Sequence, residues 1–259
     1  MSKKYNITIR FYEELNDFLP KNIRKKDIEY SFSGRRSVKD LIEAIGVPHV
    51  EIDLILINGE SVDFSYVVKD GDRISVYPVF ETFAINGVSR LNQSPLRDTK
   101  FVLDVHLGKL ARRMRLLGLD IDYKKERDDS ELADISEREN RILLTRDVQL
   151  LKRKNISRGI FVRNTDPHKQ IVEILDRFDL WSVCNPYERC IKCNQKISTI
   201  PFKDNQSFLK EKVPEGVLSW CTEFYICSSC EKVYWKGSHY QKLQTIIEDI
   251  MSKKESTRL

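Results

Sequence analysis

Tyr5, Ile7, Ile9 and Phe11 alternate with polar neighbours, the period of a strand with one buried face, and Ile28-Glu29-Tyr30-Ser31-Phe32 repeats it. Together the two segments predict a hairpin. The period then changes. Val38, Leu41, Ile42 and Ile45 fall on one face of a helix opened by Ser37-Val38-Lys39-Asp40 and stopped by Gly46 and Pro48. Beyond it come the apolar run Leu54 to Ile57, a turn at Asn58-Gly59, Val67-Val68, a turn at Asp70-Gly71, and a closing strand Ile74 to Tyr77. The predicted order is ββαββ, a small unit over residues 1–82 in which one helix packs on a sheet.

Residues 83–100 carry turn residues and scattered charge without a sustained period, and read as a connection. From Phe101 strands and helices alternate, as in a parallel α/β sheet over residues 101–183. The predicted strands are 101–103, 119–123, 141–145 and 159–162; the predicted helices are 106–117, 130–140, 148–154 and 167–180, the last with Pro167 in its first turn. The fold class is therefore mixed: α+β at the N-terminus and α/β in the middle.

Carboxylates delivered to the carboxyl ends of parallel strands define where a crevice can do chemistry. Asp104 and Asp147 follow the first and third of these strands, and Asp129 precedes the helix opened by Ser130-Glu131-Leu132. Three converging carboxylates suit Mg²⁺ or Mn²⁺, hard cations that activate water and neutralise charge on a phosphodiester under in-line attack. Each aspartate also has a plainer role as a helix cap. Asp128 and Glu131 are alternatives for the middle acid, Asp120 and Asp122 read as solvated, and His106 reads as structural or exposed.

Near the C-terminus, Cys190-Ile191-Lys192-Cys193 and Cys227-Ser228-Ser229-Cys230 form two CxxC knuckles. Their four sulfurs make a complete set for one tetrahedral structural zinc; two disulfides or a redox pair are the rival readings. The N-terminus leads into a strand instead of an apolar signal core, and no apolar run approaches membrane-spanning length, so the reading is a soluble, cytoplasmic chain with no membrane partner, which favours the metal. The zinc ribbon is expected over 184–241, followed by a helix and polar tail over 242–259. Cys184 and Cys221 read as buried or tolerated thiols.

Charge alters this picture little, because 44 basic residues stand against 39 acidic ones for a net +5 over 259 residues. Placement matters more. Lys109, Arg112, Arg113, Arg115 and Arg146 sit on or beside the elements that carry the acids, as does the run Lys152 to Lys154. In the ribbon most aromatics are expected to be core, with Trp235 and His239 the exposed candidates for stacking on bases.

The first unit, with Val67-Val68-Lys69-Asp70-Gly71-Asp72-Arg73-Ile74 before its last strand, resembles the ubiquitin-like β-grasp domains of sulfur carriers. The free Gly-Gly end of a carrier is replaced by Pro78-Val79-Phe80-Glu81-Thr82, so carrier chemistry is excluded; docking of a partner protein or a nucleic acid, or a stabilising appendage, remains. The stretch from Phe101-Val102-Leu103-Asp104-Val105-His106-Leu107-Gly108-Lys109-Leu110-Ala111-Arg112-Arg113-Met114-Arg115-Leu116-Leu117-Gly118, with Ile142-Leu143-Leu144-Thr145-Arg146-Asp147, closely resembles the PIN-like ribonuclease family named after the C-terminal domain of the Mut-seven exonuclease. Val233-Tyr234-Trp235-Lys236-Gly237-Ser238-His239 after the second knuckle agrees with that family's ribbon. The resemblance implies a PIN-like nuclease domain and a metal-dependent ribonuclease in which Asp104, Asp129 and Asp147 hold the metal and RNA is the substrate. Lys109, Arg112, Arg113, Arg146, Trp235 and His239 are the substrate-binding candidates. A non-catalytic RNA-binding adaptor is the alternative. The β-grasp domain carries no metal-binding cluster and is expected to be dispensable for cleavage, so that a chain begun near Arg97 still folds.

Overall fold

The computed structural model of the protein describes residues 4–78, 91 and 99–255. The expected continuation of the closing strand through Val79 to Thr82, most of the 83–100 connection and the end of the polar tail lie outside the described residues. Strands β1 (Lys4–Phe11) and β2 (Ile28–Ser33) form the antiparallel hairpin, in register from Lys4 opposite Ser33 to Ile9 opposite Ile28. Helix α1 (Val38–Ile45) starts where Ser37 Oγ accepts the Asp40 N–H at 3.1 Å. Next come β3 (Ile52–Ile57) and the two-residue β4 (Glu60–Ser61), joined by Asn58 and Gly59 at φ 53° and 91°, the pair of positive values that a tight hairpin turn requires. Strand β5 (Arg73–Pro78) inserts between β1, to which it is parallel, and β3, to which it is antiparallel. The sheet order is β2-β1-β5-β3-β4. Ile7, Ile9, Leu41, Ile42, Ile55 and Val76 fill its core under α1.

Val67-Val68 forms no strand. Val67 makes a single bridge to Ser37, and the segment is fixed by Asp72, a buried carboxylate that accepts from Lys69 N at 2.8 Å and from Asn58 Nδ2 at 3.0 Å. These side-chain bonds compete with ladder pairing and win.

The chain continues through β6 (Lys100–Leu103), a 3₁₀ turn Val105–Leu107, α2 (Gly108–Leu116), β7 (Asp120–Asp122), α3 (Asp129–Glu139), β8 (Ile142–Thr145), α4 (Val148–Leu151), β9 (Gly159–Phe161) and α5 (Pro167–Arg177). The pairs β6–β7 and β8–β9 are parallel, which gives this stretch its α/β character. Helix α4 is shorter than its apolar pattern predicts, because Leu151 and Ile156 are both buried and the chain must turn between them to bury both. Strand β10 (Ile197–Pro201), helices α6 (Gln206–Lys212) and α7 (Glu215–Leu218), and strands β11 (Glu223–Cys227) and β12 (Val233–Trp235) build the ribbon, an antiparallel sheet of order β10-β11-β12. The C-terminal helix α8 (Ser238–Ser252) begins inside the segment expected to be ribbon. None of the described helices is long and apolar enough to cross a membrane.

Two compact units emerge, Met1–Thr99 with Asp128–Phe161, and Lys100–Arg127 with Val162–Leu259. In the first, the N-terminal sheet does not stand apart from the later segment. Glu51, fully buried, accepts the Phe161 N–H; His49 Nε2 bonds the Ile156 carbonyl at 3.0 Å; Lys152 donates to the Glu43 carbonyl at 2.8 Å; and Phe18 meets Phe161 edge to face. Lys152, read from the sequence as helix support or an RNA contact, is thus committed to the β-grasp domain.

In the second unit α2 packs on α5 and α5 on α8, where His168 Nε2 lies 3.0 Å from Asp249 Oδ2. The chain after α5 returns to α2 through Asn185 N and Tyr187 N, which donate to the carbonyls of Leu117 and Leu116 at 2.9 and 3.1 Å. Gly118 permits this close approach: its φ is +85°, and a Cβ there would lie 2.2 Å from the Asn185 carbonyl oxygen.

Candidate functional site

Cysteines 190, 193, 227 and 230 bring their sulfurs within 4.8 Å of one another. Each knuckle turns in the same way: Asn194 N donates to the Cys190 carbonyl and Glu231 N to the Cys227 carbonyl, both at 2.8 Å, with Asn194 and Glu231 at positive φ. The turn aims both sulfurs of each CxxC at one point. Sulfurs on different knuckles approach to 3.3 Å (Cys193 to Cys227) and 3.6 Å (Cys190 to Cys230), too far for a covalent bond of about 2.05 Å. A tetrahedron with metal–sulfur bonds of about 2.3 Å has edges of about 3.8 Å. The four cysteines therefore fit a tetrahedral metal ion.

The electrostatics of the cluster favour the same ion. Burial pushes the Cys190 thiol up, but hydrogen bonds from the Tyr234 hydroxyl, 3.0 Å away, and from the N–H groups of Cys193 and Lys192 outweigh it and bring it down to about 7. Cys193 is pushed up to about 12, by burial first and by its sulfur neighbours next. Four crowded sulfurs resist becoming thiolates together unless a cation compensates them. Cys221 is buried in a separate cluster with Leu209, Val213, Phe224 and Val233, and burial raises the half-buried Cys184 thiol to about 11.

The first knuckle is anchored to the α/β part by groups that the sequence pattern did not single out. Arg115, placed by periodicity on the outer face of α2, is buried and donates to the carbonyls of Ile121, Tyr123 and Lys192 at 2.9 to 3.2 Å. Desolvation lowers its pKa from the usual guanidinium value. Asp120, expected to be solvated, is held by Arg189 at 3.1 Å and by Asn194 Nδ2 at 3.0 Å. Asn194 Oδ1 also accepts the Ile121 N–H at 2.9 Å, so one amide ties the knuckle to the edge of β7. Asp122 likewise pairs with the buried Arg127 at 3.0 Å. The available signal was the Asn that directly follows the first CxxC, a residue type that tolerates a left-handed turn.

The acids expected to hold a second metal occupy different surroundings. Asp104 belongs to the second unit; Asp129 and Asp147 belong to the first. Asp104 directly follows β6, is only 5% exposed, and makes no capping bond to the turn it precedes. Asp147 does cap: its Oδ1 accepts from Gln149 N at 2.7 Å and Leu150 N at 3.3 Å. At α3 the cap is Asp128, which accepts the Glu131 N–H at 2.8 Å, so Asp129 is the first helical residue and is exposed. The cap reading thus fails for Asp104 and Asp129 and holds for Asp147. Lys109 and Arg112 lie outside the core of α2, Arg113 is half-buried, and Arg146 lays its guanidinium 5.6 Å over the Phe161 ring. His106 is exposed. In the ribbon Trp220, at 58% exposure, is the exposed tryptophan; Trp235 is half-buried against the apolar cluster, and His239 is exposed as expected.

In sequence order, a ubiquitin-like sheet precedes an α/β segment and a four-cysteine site. A family model described as Mut7-C RNAse domain matches residues 99–247, and one described as Mut7-C ubiquitin matches residues 4–84. The chain belongs to the Mut7-C RNAse domain family. No curated protein matches it.

Proposed function

We propose that the protein is a metal-dependent ribonuclease that hydrolyses RNA phosphodiester bonds with a PIN-like α/β domain, and that its four cysteines hold a structural zinc. The match to the RNAse domain over residues 99–247, which takes in all three aspartates and all four cysteines, carries this reading. Asp104, Asp129 and Asp147 supply hard oxygen donors for Mg²⁺ or Mn²⁺. The place of Asp104 directly after β6, at the carboxyl end of a parallel strand, supports it as one of the ligands. Held by these acids, a divalent cation would supply neutralisation of the charge that builds on a phosphodiester under in-line attack by water.

Lys109, Arg112, Arg113 and Arg146 hold phosphate oxygens, the arginines through paired N–H donors, and the exposed His239 contacts bases. The ribbon's thiols call for a reducing, cytoplasmic setting.

Labelled structured and single-stranded RNAs, incubated with Mn²⁺ and with EDTA, test the proposal. Cleavage that needs Mn²⁺ is expected. Zinc-loaded protein that binds RNA but cuts none of these substrates would instead favour a non-catalytic RNA-binding adaptor, in which Asp147 serves only as the α4 cap. In that case a Mn²⁺ titration would detect no site that disappears in Asp104→Asn.

A further inference from the structure

Strand register sorts the ribbon's aromatic side chains into two sets. Phe224 lies opposite Trp235, and Tyr225 opposite Tyr234, so the two pairs point to opposite faces of the sheet. The first face is the ribbon's own core, where Phe202 stacks on Phe224. The second faces a groove of about 690 Å³ within the second unit, walled by Arg112 and Leu116 of α2, by Tyr187, and by His239 and Tyr240 of α8. Covering the core therefore does not account for the aromatics on this side.

Their rings are held in place. Tyr187 and Tyr240 stack with centroids 4.9 Å apart and planes 26° from parallel. The Tyr187 hydroxyl donates to Gln244 Oε1 at 3.1 Å, and that of Tyr234 to Cys190 Sγ at 3.0 Å. Side chains of the groove lining held in this way have little entropy still to lose on binding.

The charge at the walls is positive. Glu188, the acid of the lining, is paired with Lys196 at 2.6 Å, whereas Arg112 and Lys232 have no acid partner among the described residues. Aromatic faces inside a concavity with cations beside them suit unpaired nucleotides, whose bases stack while their phosphates meet the cations. A concave groove of this size takes a ligand of one or two nucleotides and excludes a duplex, whose bases are already stacked on one another.

We infer that this groove is a binding site for unpaired bases of single-stranded RNA, with Tyr187, Tyr225 and Tyr240 as stacking surfaces and Arg112 and Lys232 on the flanking phosphates. The choice of RNA rests on the ribonuclease reading. Arg112 lies eight residues beyond Asp104, roughly 12–16 Å along the 3₁₀ turn and α2. A strand seated in the groove therefore extends the substrate contact beyond the bond to be cut.

The test uses the full, zinc-loaded chain without added Mn²⁺ or Mg²⁺. A short oligouridylate containing photoreactive thiouridine is crosslinked and the adducts are mapped, and its affinity is compared with that of a blunt RNA duplex and of a tyrosine- and proline-rich peptide. Crosslinks at Tyr187, Tyr225, His239 or Tyr240 are expected. Tyr240→Ala should weaken the single strand on the order of tenfold, Tyr240→Phe should restore it, and duplex affinity should stay level. The exposed Arg112→Gln provides a variant with no packing role. Crosslinks confined outside the groove, unchanged affinity in both Arg112→Gln and a zinc-loaded Tyr240→Ala, or displacement of the RNA by the peptide from these residues would overturn the site. Cleavage with Mn²⁺ is scored separately. Cutting without groove crosslinks removes the groove and keeps the ribonuclease, and groove crosslinks without cutting do the reverse.

Discussion

At the residue scale, one substitution type separates a ligand from a cap. Asparagine caps a helix about as well as aspartate, but it binds a divalent cation poorly. Asp104→Asn is expected to reduce Mn²⁺-dependent RNA cleavage by orders of magnitude while melting without added Mn²⁺ stays level. Asp147→Asn should keep the α4 cap and lose activity in the same way. Wild-type cleavage by both variants at limiting Mn²⁺ would refute the assignment. Asp128→Asn acts as the control: its side chain caps α3, and activity should persist. Gly118 tests the backbone instead of the chemistry. Alanine there costs about 1–2 kcal/mol for the left-handed conformation, and its Cβ must also push the Asn185 carbonyl aside. A melting temperature lower by several degrees is expected, since 1 kcal/mol is worth roughly 2–4 °C in a chain of this size. Gly216→Ala, with nothing within 4 Å of the new methyl, should be neutral or mildly stabilising.

Among the elements, the two knuckles and the ribbon strands beside them form one device, and metal binding should supply part of its folding free energy. One zinc per chain is expected by elemental analysis of protein purified without chelator, and none after Cys190→Ser with Cys227→Ser. Zinc retained by that double variant would disprove the site. Removing the ion should also loosen the edge of β7, because Asn194 joins the first knuckle to Asp120 and Ile121. Faster hydrogen exchange at Ile121 N–H in the metal-free protein would show this, and unchanged exchange would mean that the knuckle holds its shape alone. The element pattern was largely legible in the sequence. The β-grasp hairpin, α1, β6, α2, α3, β8 and β9 fall within a few residues of their expected bounds, since each has a strong period and end signals of its own. Val67-Val68 and the length of α4 were not legible, because a buried Asp72 and the burial of Ile156 decided them.

For the whole molecule, the N-terminal domain changes its meaning. From its composition it reads as removable, yet the first compact unit joins it to residues 128–161 through Glu51, His49 and Lys152. A chain begun near residue 97 would expose Phe161 and leave the carbonyl and N–H groups of Ile156 and Phe161 without these partners. It is therefore expected to aggregate or melt far below the full chain. Glu51→Ala makes the same point with a single change: taking the buried acceptor from the part-buried Phe161 N–H should cost about 1–3 kcal/mol in chemical denaturation, with Glu51→Gln milder because it keeps an acceptor oxygen. A truncated chain that folds and cleaves RNA normally would show that the contact is incidental.

Local chemistry was within reach of the sequence alone. Period, caps and turn residues depend on neighbours a few positions away, and so do the CxxC turns, which is why the ubiquitin-like sheet, the alternating α/β segment and the cluster of four sulfurs can all be read from residue order. Whether a charge is solvated or paired depends on residues far along the chain. Arg115 and Arg112 look alike in the helix pattern, but the fold buries the first under the knuckle, where three carbonyls satisfy its guanidinium, and leaves the second at a groove wall. Asp120, Glu51 and the tyrosines of the groove were sorted in the same way. Burial and partner choice are set by tertiary packing, because an ionised group leaves water only where distant parts of the chain supply its hydrogen bonds.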